Sequence, residues 1–149
     1  MTDAATDSPP ALDIAQAHPT RSLDGPALAA LIRRAIAGED FTLRSLGIVL
    51  ADRETVHRLN RDFLNHDYPT DVISFALDED AATERIVDGE VYVDLDMAAE
   101  RAPEFGTTFE DEARRYVVHG LLHLMGYDDA TDAERAAMRA REDHYLGTT

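Results

Sequence analysis

Two histidines, His119 and His123, stand four positions apart in the run HGLLHLMGYDD, which closes on Asp128 and Asp129 just past Gly126. On a helix, residues i and i+4 rise from the same face, so both imidazoles can converge on one ion. Histidines at this spacing also occur where they merely pack, so the pair needs context. Gly126 supplies some, because glycine readily takes the left-handed conformation that ends a helix and turns the chain back. A reversal there brings Asp128 or Asp129 towards the histidines as the third ligand. The spacing H-x3-H-x2-G-x2-D reproduces the separations of the extended zinc-protease motif, with aspartate in the last place. A zinc protease also needs a glutamate directly after its first histidine as general base, and position 120 is glycine. Peptidase chemistry of that kind is disfavoured, while hydrolysis at a metal with an open position is not.

The elements that must hold these residues are visible as periodicities. Thr107 and Glu110 fit a capping box that opens a long helix from about Phe109 to Met125. Its apolar positions Val117, Val118, Leu121, Leu122 and Leu124 form the core face, leaving the histidines facing a cleft. Thr131 and Glu134 fit a second box, opening a last helix that runs to about Leu146. Upstream, Leu12 to Ala17 reads as a short edge strand. Asp24 caps a helix that buries Leu28, Leu31, Ile32 and Ala35 and ends near Gly38. Leu43 to Leu50 reads as a strand, and 52–66 as a helix with Val56, Leu59 and Phe63 on one face, its continuation barred by Pro69. Asp71 to Leu77 is short, apolar and β-branched, as expected of a central strand. The acidic loop DEDAATER follows, and Gly89 to Leu95 alternates as a half-buried strand does. The expected fold is an α+β protein, or α/β sandwich, with about four strands in one small mixed sheet and helices packed on it. A polar, disordered lead-in over residues 1–10 would precede a single domain over 11–149.

Composition narrows the chemistry. There is no cysteine, so any metal must be held by His, Asp or Glu. Thirty acidic residues face 14 basic ones, for a formal net charge of -16, and all the basic residues are arginine. Such a field repels nucleic acid at long range. Two accounts of it stand side by side: adaptation to a salt-rich cytoplasm, and codon bias in a GC-rich genome, which explains missing lysine but not excess acid. The N-terminal residues carry neither a basic head nor an apolar run, and no stretch is long enough to span a bilayer. A cytoplasmic protein with no membrane partner is expected.

Taken together, the motifs resemble those of the YbeY-type endoribonucleases, also described as rRNA maturation factors. The family's H-G-x-L-H-L-x-G-Y-D-H is matched by His119, Gly120, Leu122, His123, Leu124, Gly126, Tyr127 and Asp128, with Asp129 in place of the last histidine. A second block, L-N-x-x-Y-R-x-x-D-x-P-T-D-V-L-S-F, is matched at Leu59, Asn60, Phe63, Asp67, Pro69, Thr70, Asp71, Val72, Ser74 and Phe75. A third, weaker one is the strand Gly89 to Val93. The resemblance implies one divalent ion held by His119, His123 and Asp129, zinc being favoured, with water in the fourth position. An oxygen donor at Asp129 could favour another ion. It also implies a substrate cleft along Thr70, Asp71 and Ser74, which would otherwise be turn and capping residues.

For Asp128 three roles remain open: orienting a ligand, acting as base, or simply making the turn. Leu64 stands where the family carries an arginine, and Arg61, one helical turn away, could contact phosphate in its stead or be a solvated surface residue. The implied activity is cleavage of single-stranded RNA in rRNA maturation, at the 3′ end of the small-subunit precursor, and in ribosome quality control. The implied partners are the small ribosomal subunit, its proteins and a ribosome-associated GTPase, with no DNA. The competing readings are a ribosome-assembly protein with a structural metal and a hydrolase of small or peptide substrates, the latter disfavoured by Gly120. Arg58, Arg61, Arg114 and Arg115 could form a basic strip to meet RNA. His18, His57, His66 and His144 lack companions and read as ordinary surface or packed histidines.

The salt-adaptation account predicts that Tm rises with KCl up to about 1 M, where the Debye length falls to about 3 Å and self-repulsion is screened. A Tm that does not rise over that range leaves codon bias as the account.

Overall fold

The computed structural model describes residues 10–147. Apart from Pro10, the expected lead-in lies outside the described residues. The elements run β1 (Ala11–Gln16), α1 (Gly25–Gly38), β2 (Thr42–Ala51), α2 (Arg53–Leu64), β3 (Val72–Ala76), β4 (Ile86–Asp94), α3 (Leu95–Arg101), a 3-10 turn at Ala102–Phe105, α4 (Phe109–Leu124) and α5 (Asp132–Leu146). The sheet order is β1-β2-β4-β3, with β1, β2 and β4 parallel and β3 antiparallel to β4. This is the small mixed α/β sheet expected.

Two-residue periodicity divides the core. Leu46, Ile48 and Leu50 of β2 and Val87, Val91 and Val93 of β4 pack beneath α1 and α4. On the opposite face Ala51 and Ile73 meet Val56 of α2, with Tyr92 and Phe75 at the edge of that cluster. The sheet is therefore a layer between helices, with α2 alone on its thinner side. Phe63, expected on the buried stripe of α2, is 69% exposed, because its turn of the helix overhangs the sheet edge, where it meets Phe75 edge-on.

Several boundaries differ from the expectations, each for a local reason. β3 is an edge strand, not a central one: it returns antiparallel along β4, and its apolar residues are covered by α4 and α2 instead of by a further strand. Pro69 does not end α2; Asn65, left-handed at φ 61°, does so. The α4 cap is Thr108, whose hydroxyl accepts from the Asp111 N–H at 3.1 Å, one residue later than the Thr107 box. At α5 the Thr131 and Glu134 box forms in full. The segment after β4 was not anticipated as helix. There Asp94, wholly buried, accepts from the Met97 N–H and starts α3.

What sets α4 against the sheet is Gly120. A Cβ built at that position would lie 2.6 Å from Val91 Cγ1, 2.9 Å from Val72 Cγ2 and 3.0 Å from Ser74 Oγ. The Ser74 hydroxyl donates to the Gly120 carbonyl at 2.8 Å, pinning β3 to the helix. Glycine here is demanded by close approach of helix and sheet. The glutamate a zinc protease would carry has no room. Gly120→Ala should destabilise the fold by about 1–3 kcal/mol through overpacking, read as a lowered urea midpoint.

Candidate metal centre

Helix α4 ends in the geometry its glycine foretold. The N–H of Tyr127 reaches the Leu122 carbonyl and that of Gly126 reaches His123, both at 3.0 Å, with Gly126 at φ 97°. This pair of bonds is the Schellman closure, and it returns the chain past the last turn of the helix. Two anchors then hold the loop that carries the aspartates. The Tyr127 hydroxyl donates to Glu39 Oε1 at 2.7 Å, and Arg135 Nη1 donates to the carbonyls of Asp129 and Ala130 at 3.0 and 3.1 Å. Glu39 also receives Arg141 and the Tyr145 hydroxyl. Burial alone would raise its pKa, but the donors from Tyr145, Tyr127 and Arg141 hold it below its usual value.

The result is a compact triangle of donor atoms. His119 Nε2 and His123 Nε2 are 3.1 Å apart, and each lies 3.3 Å from Asp129 Oδ2. Ligands bound at about 2.0–2.1 Å around a tetrahedral zinc are separated by about 3.3 Å, so the triangle already matches the face of such a site. Two imidazole nitrogens and a carboxylate oxygen converging this closely present three lone pairs to one point. Among the described residues, these three form the group able to hold a metal ion.

Behind the triangle lies a residue that sequence reasoning did not single out. Glu142 of α5, its side chain only 6% exposed, accepts from His119 Nδ1 at 2.8 Å. That bond places the proton on Nδ1 and leaves Nε2 bare for a metal. The other Glu142 oxygen accepts from Arg115 Nη1 at 3.0 Å, and Arg115 also donates to Asp143 at 2.8 Å. Burial pulls the His119 pKa down, but Glu142, helped by Asp71 and Asp129, outweighs it and leaves the pKa above its ordinary value. Met138, Glu142 and Tyr145 share one buried face of α5, and a glutamate on such a face requires a partner.

A cavity of about 540 Å³ opens on one side of the triangle, between β3 and α4, and is lined by Thr70, Asp71 and Ser74 together with all three donor residues. Asn60, buried on α2, donates to the Tyr68 carbonyl at 2.9 Å and so fixes the loop that leads to Thr70. Asp71 accepts from the Val72 N–H at 2.8 Å, while Ser74 is committed to Gly120. Leu64 reaches the cavity wall, whereas Arg61 lies outside it and pairs with its neighbour Asp62 at 3.0 Å. Asp128 is exposed and lines neither this cavity nor the second one on the far side of His119. The expected basic strip does not form. Arg58 and Arg61 are on α2, Arg114 pairs with Asp111 on its own helix, and Arg115, half-buried, pairs with Glu142 and Asp143. Of the histidines set aside as ordinary, His18 pairs with Asp96 and His57 with Asp67, and His66 stacks on Tyr68.

Fold and site together define a class: a metal-dependent hydrolase on a mixed α/β sheet, with helical histidines and a carboxylate from the following turn. A family model described as Endoribonuclease YbeY matches residues 14–149, and the chain belongs to that family. A relative from Salinibacter ruber bearing the same name is 52% identical over 143 residues, covering 93% of this chain and 91% of the relative. Another so named, from Chlorobaculum tepidum, is 46% identical over 126 residues, covering 85% and 89%. The solution structure of a Thermotoga maritima protein matches with a TM-score of 0.60 and 28% identity, over 93% of this chain and 87% of that one.

Glu142→Gln keeps the side chain's size but removes the charge that orients His119. It should lower zinc affinity by about 10–100-fold in a chelator competition, with the circular dichroism spectrum unchanged.

Proposed function

We propose that this member of the YbeY endoribonuclease family cuts single-stranded RNA at a centre formed by His119, His123 and Asp129, in maturation of the 3′ end of the small-subunit rRNA precursor. The observation that carries this reading is a group of three donors, with no fourth among the described residues, at the wall of an open cavity. A structural site closes its coordination with protein atoms, whereas a catalytic one leaves a position for water or substrate.

The donor set fits a divalent ion, with zinc favoured by two imidazoles and one carboxylate. Such an ion would polarise a phosphate oxygen and lower the pKa of water. The chain's own residues do the rest. Glu142 and Arg115 fix the His119 ring, and the Schellman turn with Arg135 fixes Asp129. Thr70 and Asp71 offer polar groups along the cavity wall. Asp128 is proposed as part of the turn that presents Asp129. Arg61 pairs with Asp62 and lies outside the cavity wall, so no phosphate contact is proposed for it.

The net charge of -16 opposes capture of free RNA, which supports delivery by a protein partner. The partners proposed are the small ribosomal subunit, its proteins and an associated GTPase, in the cytoplasm and in service of ribosome quality control. No helix among the described residues is long and apolar enough to cross a membrane.

The test is cleavage of a single-stranded rRNA fragment by zinc-loaded protein. Cleavage should fall to background in His123→Ala and on adding a chelator, with the circular dichroism spectrum of the variant unchanged. Equal cleavage by wild type and variant would overturn the assignment.

A further inference from the structure

His119 and Asp129 face two cavities, and the two differ in charge. The larger is walled by five carboxylates, Asp71, Asp78, Glu79, Asp88 and Asp129, and by no arginine; Arg44, outside it, pairs with Asp78 and Asp88. The smaller, of about 250 Å³, lies between α3, α4 and α5, and there Arg101, Arg115, Arg135 and Arg139 balance four carboxylates. Two of those arginines are already committed: Arg115 to Glu142 and Asp143, and Arg135 to the loop carbonyls and Asp132. The other two are available. Arg101 and Arg139 are exposed and, among the described residues, make no hydrogen bond or ion pair, although the chain carries more than twice as many acids as bases. Phe105, 62% exposed, shares the cavity wall with them, and with Arg139 it also lines an adjoining hollow. The Tyr116 hydroxyl, only 4% exposed as a residue, belongs to the same wall beside Glu112 and makes no hydrogen bond of good geometry.

The larger cavity gives access to the donor triangle but holds no cation for a neighbouring phosphate, whereas the smaller offers two free guanidinium groups. Guanidinium forks suit phosphate oxygens, and an exposed ring beside them suits a base. We propose that the smaller cavity is the subsite for the nucleotide next to the scissile phosphate, with Arg101 and Arg139 holding its phosphate and Phe105 stacking its base. This rests on the ribonuclease reading of the centre, and it gives the RNA a direction: the backbone leaves the triangle towards α3 and α5.

The experiment is fluorescence anisotropy with a labelled single-stranded oligoribonucleotide in the presence of chelator, alongside cleavage kinetics of the zinc-loaded proteins. The double variant Arg101→Ala with Arg139→Ala should bind about ten-fold more weakly. Its dependence of log K on log salt should flatten by roughly 0.7 for each arginine lost. Phe105→Ala should weaken binding without altering that slope. In cleavage, the double variant should raise KM more than it lowers kcat, because contacts to the neighbouring phosphate are made in the ground state and the transition state alike. Arg33→Ala removes the same single charge as Arg139→Ala from a separate hollow beside Phe41 and Leu43 and serves as the charge control. Equal losses in Arg33→Ala and Arg139→Ala, or wild-type binding and KM in the double variant, overturn the subsite. So does a wild-type protein that binds no oligoribonucleotide. Wild-type protein that binds through these arginines but never cleaves overturns the ribonuclease reading alone.

Discussion

The contact between α4 and the sheet at Gly120 is the constraint on which the rest of the molecule depends. With no side chain at that position, the helix comes down onto Val91 and Val72 closely enough for its carbonyl to accept from Ser74. The residue before it, His119, is thereby set at the sheet edge, half-buried, instead of riding out in solvent. A helix held a side chain's thickness higher would lift both histidines away from Thr70 and Asp71. The same close contact explains the chemistry that is missing: the position where a zinc protease keeps its general base is here consumed by packing.

From that contact outward the centre is held by polar ties of different kinds. Glu142 buries a carboxylate behind His119, and Arg115 compensates it, so neither is left as an unpaired charge in the interior. Asp129 is held through its backbone by Arg135 and through its neighbour Tyr127 by Glu39. The carboxylate that completes the triangle is thus the least buried of the three donors, and its support comes from groups that touch the chain around it.

Much of this was legible in the sequence, and the residues that were not have a common reason. His119, His123, Gly126 and Asp129 could be placed because helical spacing and glycine's access to positive φ are local properties. The helix starts at Asp24 and Thr131 were legible for the same reason. Thr107 and Thr108 both have an acidic residue three positions on, so local rules could not choose between them. The edge position of β3 depends on which strand β4 pairs with, a long-range outcome that the apolar run VISFA does not encode. α3 follows directly on a strand rich in valine and is too short to establish its own period. Glu142 is one glutamate among many in an acidic chain, and only tertiary packing shows that it is buried against His119. Arg115 was legible as a charge but not as a half-buried partner.

The centre is also short in chain terms: the three donors and the side chains that tie them most directly, Arg115, Arg135 and Glu142, lie on one helical hairpin, with Glu39 and Ser74 bracing it from outside. Closing so short a loop costs little entropy, whereas the sheet must pair strands separated by whole helices. The hairpin can therefore assemble the triangle from local contacts before the sheet is complete, while its seating against β3 waits on the slower, non-local pairing. The donor triangle comes from the hairpin and the wall with Thr70, Asp71 and Ser74 from the sheet side, and Gly120 is where the two meet.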